Sequence, residues 1–177
     1  MKKIFLLLLT GLSFCALAQR NQPLPEHPRP DLQRDQWLNL NGYWDFTFDS
    51  SLTAPSRYAK KILVPFPWGS PHSEVKDEAD VAWYHKEIKI PVSWTGKRIF
   101  INIGASDWET TLFLDGVQIS KHQGGYTPFD AELVGVKPGS VHQISVRVDD
   151  ERRMFTLYGK QGYGNARGIW QTVYLEA

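Results

Sequence analysis

Acidic side chains two residues apart are the first candidates for chemistry in this 177-residue chain. Residues i and i+2 of a β-strand share a face, so two carboxylates at that spacing can lie close enough for general acid–base catalysis. The pattern occurs at Asp107 with Glu109, at Asp130 with Glu132, and in the run 149–151. However, Asp130 and Glu132 follow a turn, and the acids near residue 150 lie in a polar, loop-like segment. The sequence therefore predicts no catalytic residue in this chain.

Motifs for nucleophilic, phosphate or metal chemistry are also missing from the sequence. The chain contains neither a G-x-S-x-G nucleophile motif nor a phosphate-binding loop. Its five histidines lack the paired spacing typical of metal ligands: His27, His72, His85, His122 and His142. We therefore expect no metal and no cofactor.

Aromatic residues next to polar ones in loop-like segments indicate a different chemistry, the binding of sugars. A sugar ring stacks its apolar C–H face on an aromatic ring while its hydroxyls bond fixed polar groups. The chain is rich in rings, since Phe, Trp and Tyr make up 13% of it. The candidates for carbohydrate contact are Trp68, Asp107, Trp108, Tyr163, Asn165 and Arg167.

Each of these candidates has a structural alternative. Trp68, between Pro67 and Gly69, could instead pack as part of a wall, and Trp108 could pack in the core or against a neighbouring domain. Asn165 and Arg167 belong to the glycine-rich segment 159–167, which could equally bind another domain. Arg167 could also pair with a nearby acid, and an exposed pair of that kind would contribute little.

Residues 124–130 read G-G-Y-T-P-F-D, which is the composition of a tight turn. We expect Tyr126 and Phe129 to pack beneath this turn. The remaining tryptophans of strand-like segments, Trp170 among them, are expected in the core, because aromatic residues favour strands and bury large areas.

Short apolar runs separated by turn residues predict the elements that would position these side chains. Several runs alternate with a period of two, and Asp115-Gly116 between two of them predicts a two-residue hairpin. Only residues 31–40 suggest a helix, with Asp31 as the N-cap. The predicted strands are 43–48, 62–64, 83–90, 98–103, 110–114, 117–119, 144–148 and 169–175. Eight closely spaced strands predict an all-β fold, an antiparallel β-sandwich of the jelly-roll type.

The first 18 residues have the pattern of a secretory signal peptide. Lys2 and Lys3 precede an apolar run at 4–9 that is too short to span a membrane, and the sequence A-L-A ends at Ala18. We expect cleavage after Ala18 and a secreted or periplasmic protein. Cys15, the only cysteine, leaves a lipidated N-terminus as a minor alternative.

The rest of the chain divides into a lead-in and one domain. Residues 19–30 contain four prolines and predict an extended, poorly ordered segment, and residues 31–177 are long enough for one domain with a sizeable core. Without the leader the net charge is about −1. Such a charge gives no reason to expect nucleic acid or an anionic membrane as a partner.

Six segments with recognisable sequences follow one another along residues 31–176. They are 34–46 (ending L-N-G-Y-W-D-F), 64–68 (V-P-F-P-W), 82–86 (A-W-Y-H-K), 114–119 (L-D-G-V-Q-I) with His122, 124–129 (G-G-Y-T-P-F) and 168–175 (G-I-W-Q-T-V-Y-L). In this order they resemble the N-terminal sugar-binding jelly-roll domain of glycoside hydrolase family 2.

The resemblance implies a domain that supports catalysis performed elsewhere. In that family an immunoglobulin-like domain and a TIM barrel follow, and the activities include β-galactosidase, β-glucuronidase and β-mannosidase. Two glutamates of the barrel cleave the bond, with their carboxyl groups about 5 Å apart. The family often places an aspartate about six residues before the Gly-Ile-aromatic step, and this chain has Gly162 there.

The function expected from the resemblance is therefore that of a sugar-binding domain of a secreted family 2 glycosidase, with the catalytic barrel absent from this chain. Its expected partners are carbohydrate and the catalytic domain or a partner chain of the same glycosidase. A free-standing carbohydrate-binding module and a structural docking domain are the alternatives.

Overall fold

The computed structural model describes residues 22–151 and 166–177. The leader with Cys15, and the candidate residues Tyr163 and Asn165, lie outside the described residues. Within them, the chain forms twelve β-strands and three short 3-10 helices, and it has no α-helix.

The strands follow one another with short connections, as expected for an all-β fold. They are β1 (Trp37–Asn39), β2 (Gly42–Phe48), β3 (Lys60–Val64), β4 (Val81–Lys89), β5 (Phe100–Ile103), β6 (Ser106–Asp107), β7 (Glu109–Leu114), β8 (Val117–Gln123), β9 (Phe129–Glu132), β10 (Val141–Asp149), β11 (Gly168–Ile169) and β12 (Val173–Glu176).

These strands form three sheets in which every pairing is antiparallel. The order is β3-β2-β4-β10-β7-β8 in the six-stranded sheet, β1-β12-β5-β9 in the four-stranded sheet, and β11-β6 in a small two-stranded sheet. The six- and four-stranded sheets share one hydrophobic core. The prediction of an antiparallel β-sandwich is confirmed.

The core lies between the two larger sheets. Phe46 and Tyr84 reach it from the six-stranded sheet, and Ile101, Ile103 and Val173 reach it from the four-stranded sheet, all of them fully buried. Burial of one such side chain contributes about 1.5–3 kcal/mol. The period-two alternation of apolar and polar residues in these strands therefore determines which side chains enter the core of the sandwich.

The hairpin between β7 and β8 has the predicted geometry. Asp115 and Gly116 both adopt positive φ angles, 49° and 81°. A type I′ turn needs positive φ at both central positions, and Asp-Gly is one of the pairs that supply it. The two-residue turn sets the pairing next to it, Leu114 with Val117 and Phe113 with Gln118, and a β-bulge shifts the register between Leu112 and Phe113.

The predicted helix over residues 31–40 is wrong. Only Pro30–Leu32 form a 3-10 helix, and Trp37–Asn39 form β1, which pairs with β12. The segment was too short to hold a helix by local propensity, and the backbone hydrogen bonds offered by β12 decided its conformation instead.

The lead-in is better ordered from residue 22 onward than its composition predicts. The side-chain amide of Gln22 donates to the carbonyl oxygens of Asn39 and Asn41 at 3.0 and 3.1 Å. His27 is buried, and its Nε2 lies 3.0 Å from Oε1 of Glu176 on β12. These contacts fix the lead-in against the four-stranded sheet.

Candidate functional site

The two-stranded sheet brings together residues that are far apart in the sequence. In the β6–β11 pair, Asp107 lies opposite Gly168, and Arg167 forms an isolated bridge with Trp68. At this rim of the sandwich five side chains form what we call the rim cluster. Its members are Asp107, Trp108, Tyr126, Arg167 and Trp170.

The turn at Gly124 and Gly125 holds the residues of the rim cluster in place. The backbone N–H of Gly124 donates to the carbonyl of Trp108 at 3.1 Å, and the indole N–H of Trp170 donates to the carbonyl of Gly125 at 2.7 Å. A side chain at position 125 would place its Cβ only 2.6 Å from Oδ1 of Asp107. Glycine is therefore required here so that the carboxylate can pack directly against the turn.

Two aromatic rings of the rim cluster face the solvent. The side chain of Trp108 is 49% exposed and that of Tyr126 is 77% exposed. Tyr126 makes an edge-to-face contact with Trp170 at 5.4 Å between ring centroids, so its ring is supported from one side. Exposed rings next to a carboxyl group form the kind of surface on which a sugar ring can stack.

Behind these rings, Arg167 is buried and fully engaged. Its Nε donates to Oδ2 of Asp150 at 2.8 Å, and its terminal nitrogen donates to Oδ1 of Asp80 at 2.8 Å. Its guanidinium also lies over the ring of Trp68, 5.8 Å from the centroid. The expected alternative of an exposed, weak ion pair is therefore wrong, because this charge is removed from water and held by two carboxylates.

The electrostatic environment shifts the protonation of Asp107. Burial raises its pKa to about 6, with a second contribution from the nearby Asp150 carboxylate, while Arg167 acts in the opposite direction. A carboxyl group with that pKa changes between hydrogen-bond donor and acceptor near mildly acidic pH.

We expect the Asp107→Asn variant to gain stability relative to the unmodified chain as the pH rises from about 4 to about 7. The raised pKa means that the folded chain holds a proton on Asp107 that the unfolded chain has already released. The stability from this group is therefore lost as the pH rises through that window, and asparagine cannot ionise.

Thermal unfolding of both proteins across the pH range measures this difference. The exposed residue Asp130 provides a control, since Asp130→Asn removes the same charge at a different surface. A melting-temperature difference for Asp107→Asn that stays constant with pH would contradict the assignment.

Trp68 lies in the core, although its turn-like sequence suggested a loop aromatic. Its side chain is 2% exposed and packs against Phe46, Phe48 and Tyr84. Burial favours the alternative in which Trp68 is a wall of the site, carrying Arg167 on its face. Tyr163 and Asn165 lie in the segment outside the described residues.

Sequence reasoning missed the exposure of Tyr126. The composition of the turn indicated packing, whereas the ring of Tyr126 points to solvent and only Phe129 is partly buried, stacked on His122 at 4.3 Å. Trp170 is likewise only partly buried, at the rim. The sequence signal for this exposure was an aromatic residue in a turn made of glycines and a proline. Such small turn residues offer few side chains that could cover its ring.

In each of the carboxylate pairs Asp107/Glu109 and Asp130/Glu132, the glutamate is engaged in an ion pair. Glu132 forms a bidentate pair with Arg98, with distances of 2.9 and 2.6 Å, and its hydrogen bond to Arg98 lowers its pKa. Glu109 binds Lys121 at 2.7 Å, and its pKa is also lowered. A general acid needs a raised pKa, so these shifts argue against that role.

The part of the chain that the structure describes contains no group of three or more histidine, cysteine or acidic side chains that could hold a metal ion. Nor does it contain a helix long and apolar enough to cross a membrane.

Comparison with known proteins finds that this chain is similar to a part of several glycosidases. No protein-family model matches the sequence. The chain is 28% identical over 167 residues to a beta-glucuronidase of Felis catus, covering 81% of this chain and 25% of that protein. It is 25% identical over 141 residues to a beta-glucuronidase of Paenibacillus borealis, covering 73% of this chain and 24% of that protein.

A beta-galactosidase of Thermoanaerobacter pseudethanolicus is 30% identical over 125 residues, or 64% of this chain and 16% of that protein. Together with the six ordered segments, these relatives show what the chain is similar to. The chain resembles an N-terminal β-sandwich domain of glycoside hydrolase family 2. It spans about a quarter of the length of the family 2 beta-glucuronidases that it matches.

Solved family 2 structures have the same fold. A b-glucuronidase from Ruminococcus gnavus in complex with uronic isofagomine superposes with a TM-score of 0.67 at 23% identity, over 81% of this chain and 29% of that chain. The beta-glucuronidase of Faecalibacterium prausnitzii gives a TM-score of 0.63 at 21% identity, over 81% of this chain and 32% of that chain. At these identities the likeness concerns the fold alone.

Proposed function

We propose that this chain is the sugar-contacting domain of a secreted family 2 glycosidase that hydrolyses β-glycosides of the glucuronide, galactoside or mannoside class. The observation that carries the proposal is the rim cluster. There, two exposed rings and a carboxyl group with a pKa near 6 lie side by side on a rigid turn. The names of the relatives favour a β-glucuronide as the first substrate to test.

The geometry supports binding and positioning by this domain. Trp108 offers an indole face for the apolar side of a pyranose ring, and Asp107 offers carboxyl oxygens to its hydroxyls. Arg167 does not reach outward, because Asp80 and Asp150 occupy its donors, and it instead holds the base of the site in place. Preorganised groups of this kind reduce the entropy lost on binding.

Cleavage of the glycosidic bond is assigned to a catalytic domain outside these 177 residues. Retaining hydrolysis requires two carboxyl groups about 5 Å apart, one of them with a raised pKa. At the rim, Asp107 has a raised pKa, and the neighbouring carboxylates Asp80 and Asp150 are held by Arg167. The rim cluster would thus grip a sugar beside the catalytic carboxylates of that domain.

Truncation of the exposed indole tests the proposal. Trp108→Ala is expected to weaken the binding of methyl β-D-glucuronide about tenfold or more, because stacking on an aromatic ring contributes about 1–3 kcal/mol in comparable base-stacking sites. Isothermal titration calorimetry with the unmodified chain and the variant measures the change. Tyr43→Ala is the matched control, since Tyr43 is 51% exposed and lies on β2, away from the rim.

Equal affinities of the unmodified chain and Trp108→Ala, or an equal loss in Tyr43→Ala, would show that the rim cluster does not bind sugar. In that case the exposed rings would serve as a docking surface for another domain.

A further inference from the structure

The outer face of the six-stranded sheet carries polar residues aligned across neighbouring strands. Asp45 on β2 lies opposite His85 on β4, and His85 lies opposite Ser145 on β10. Side chains directly opposite one another on one face interact, so these three residues form a single row. The row faces away from the core that the sheet shares with the four-stranded sheet.

The connection between β2 and β3 covers only part of this face. The carbonyl of Ser51 accepts hydrogen bonds from the indole of Trp83 at 3.2 Å and from Nε of Arg147 at 3.0 Å. Trp83 and Arg147 lie opposite one another and form one row across the strands. The neighbouring row, formed by His85 and Ser145, lies at the floor of a groove. Residues 54–58 form one wall, and the β7–β8 turn forms the other.

This groove is open to solvent and has a volume of about 750 Å³, which is within the range of ligand sites in proteins. None of its lining residues belongs to the rim cluster. The lining is Asp45, Ala54, Pro55, Ser56, Arg57, Tyr58, His85, Asp115, Gly116, Gln143 and Ser145.

A stacked pair of rings gives the groove a fixed floor. The ring of Tyr58 lies parallel to the imidazole of His85, with centroids 5.0 Å apart and an interplanar angle of 22°. Nδ1 of His85 is in turn 3.1 Å from Oγ of the buried Ser145. The imidazole of His85 is therefore held in place, and the Tyr58 ring stacked on it gives a flat surface bordered by hydrogen-bonding groups.

The charges of the lining leave one cation without a counterion. Asp45 binds Lys61 at 2.7 Å. Asp115 binds His142 at 2.7 Å and accepts the backbone N–H of residue 143 at 2.8 Å. Arg57 is exposed and has no ion-pair partner among the residues that the structure describes. A planar guanidinium in that state suits a carboxylate, which it can bind with two parallel hydrogen bonds.

We propose that this groove is a second carbohydrate site, separate from the rim cluster, that binds an acidic saccharide. The sugar ring lies on the Tyr58–His85 pair, its carboxylate pairs with Arg57, and its hydroxyls meet Gln143. This proposal does not depend on the rim cluster, because the two sites share no residue.

Nuclear magnetic resonance titration of the chain tests the groove. D-glucuronate at millimolar concentration is expected to shift the backbone amide signals of residues 56–58, 85 and 143–145, also in the Trp108→Ala variant. Arg57→Gln is expected to lower the affinity about tenfold, the effect of losing one charge-assisted hydrogen-bonding partner. Lys97→Gln removes the same charge from a turn before β5 and is expected to leave the affinity unchanged.

Two comparison ligands make the result decisive. D-glucose lacks the carboxylate and should shift these signals about tenfold more weakly, and acetate lacks the sugar ring and should not shift them at the same concentration. Equal responses to glucuronate and glucose, equal responses to glucuronate and acetate, or an unchanged affinity in Arg57→Gln would each overturn the proposal.

Discussion

The Gly168→Ala substitution is expected to destabilise the fold by about 3–5 kcal/mol, one of the largest losses that a single methyl group can cause. Gly168 has a φ of 80°, which disfavours any residue with a side chain. In addition, a Cβ at this position would come closer than 3.0 Å to the hydroxyl of Tyr84 and to the ring of Trp68. Both neighbours are fully buried and cannot move aside.

The chain provides a matched control for this effect. Gly116 in the β7–β8 turn has nearly the same φ, 81°, but a Cβ there would meet nothing within 4 Å. Gly116→Ala should therefore cost only the backbone term of about 1–2 kcal/mol. Urea unfolding of both variants separates the two contributions. Equal losses in the two variants would mean that the Trp68–Tyr84 packing around Gly168 is not as tight as described.

Removal of the buried guanidinium is the second substitution with a large expected effect. Arg167→Met should destabilise the chain by about 3–5 kcal/mol near neutral pH, because it leaves the buried carboxylate of Asp150 without its cation. Asp80 contributes less to this loss, because its carboxylate is half exposed and water can solvate it.

An exposed pair on the same molecule serves as the comparison. Arg98 binds Glu132 through two hydrogen bonds, as Arg167 binds its acids, but it does so in contact with water. Arg98→Met should therefore change the unfolding free energy far less, because exposed pairs are screened by solvent. Denaturant unfolding of the two variants at neutral pH measures the contrast. A loss for Arg167→Met no larger than that for Arg98→Met would contradict the role assigned to the buried charge.

Local sequence signals were sufficient for the framework of the sandwich. Residues close in sequence give the apolar–polar alternation of β5 and β10. They also give the Asp-Gly turn between β7 and β8. Where long-range pairing decided the conformation, local signals failed. Residues 37–39 became β1 because β12 offers them backbone partners, and β12 lies more than 130 residues away.

The candidate site shows the same difference between what local sequence signals predict and what long-range contacts decide. Asp107 and Trp108 could be selected from their types and context. Their contact with the Gly124–Gly125 turn and the salt bridges of Arg167 depend on the two-residue strands β6 and β11, which carry no periodic signal of their own. The burial of Trp68 and the exposure of Tyr126 depend on which side of each turn faces the core, and turn composition does not encode that side.

The central claim is that the rim cluster, and not the aromatic core, contacts sugar. The indole N–H signals of the seven tryptophans, followed during a titration with methyl β-D-glucuronide, test it directly. We expect the signals of Trp108 and Trp170 to shift, while those of the buried Trp44 and Trp94 stay in place. Unmoved signals of Trp108 and Trp170 at saturating millimolar ligand would contradict the account.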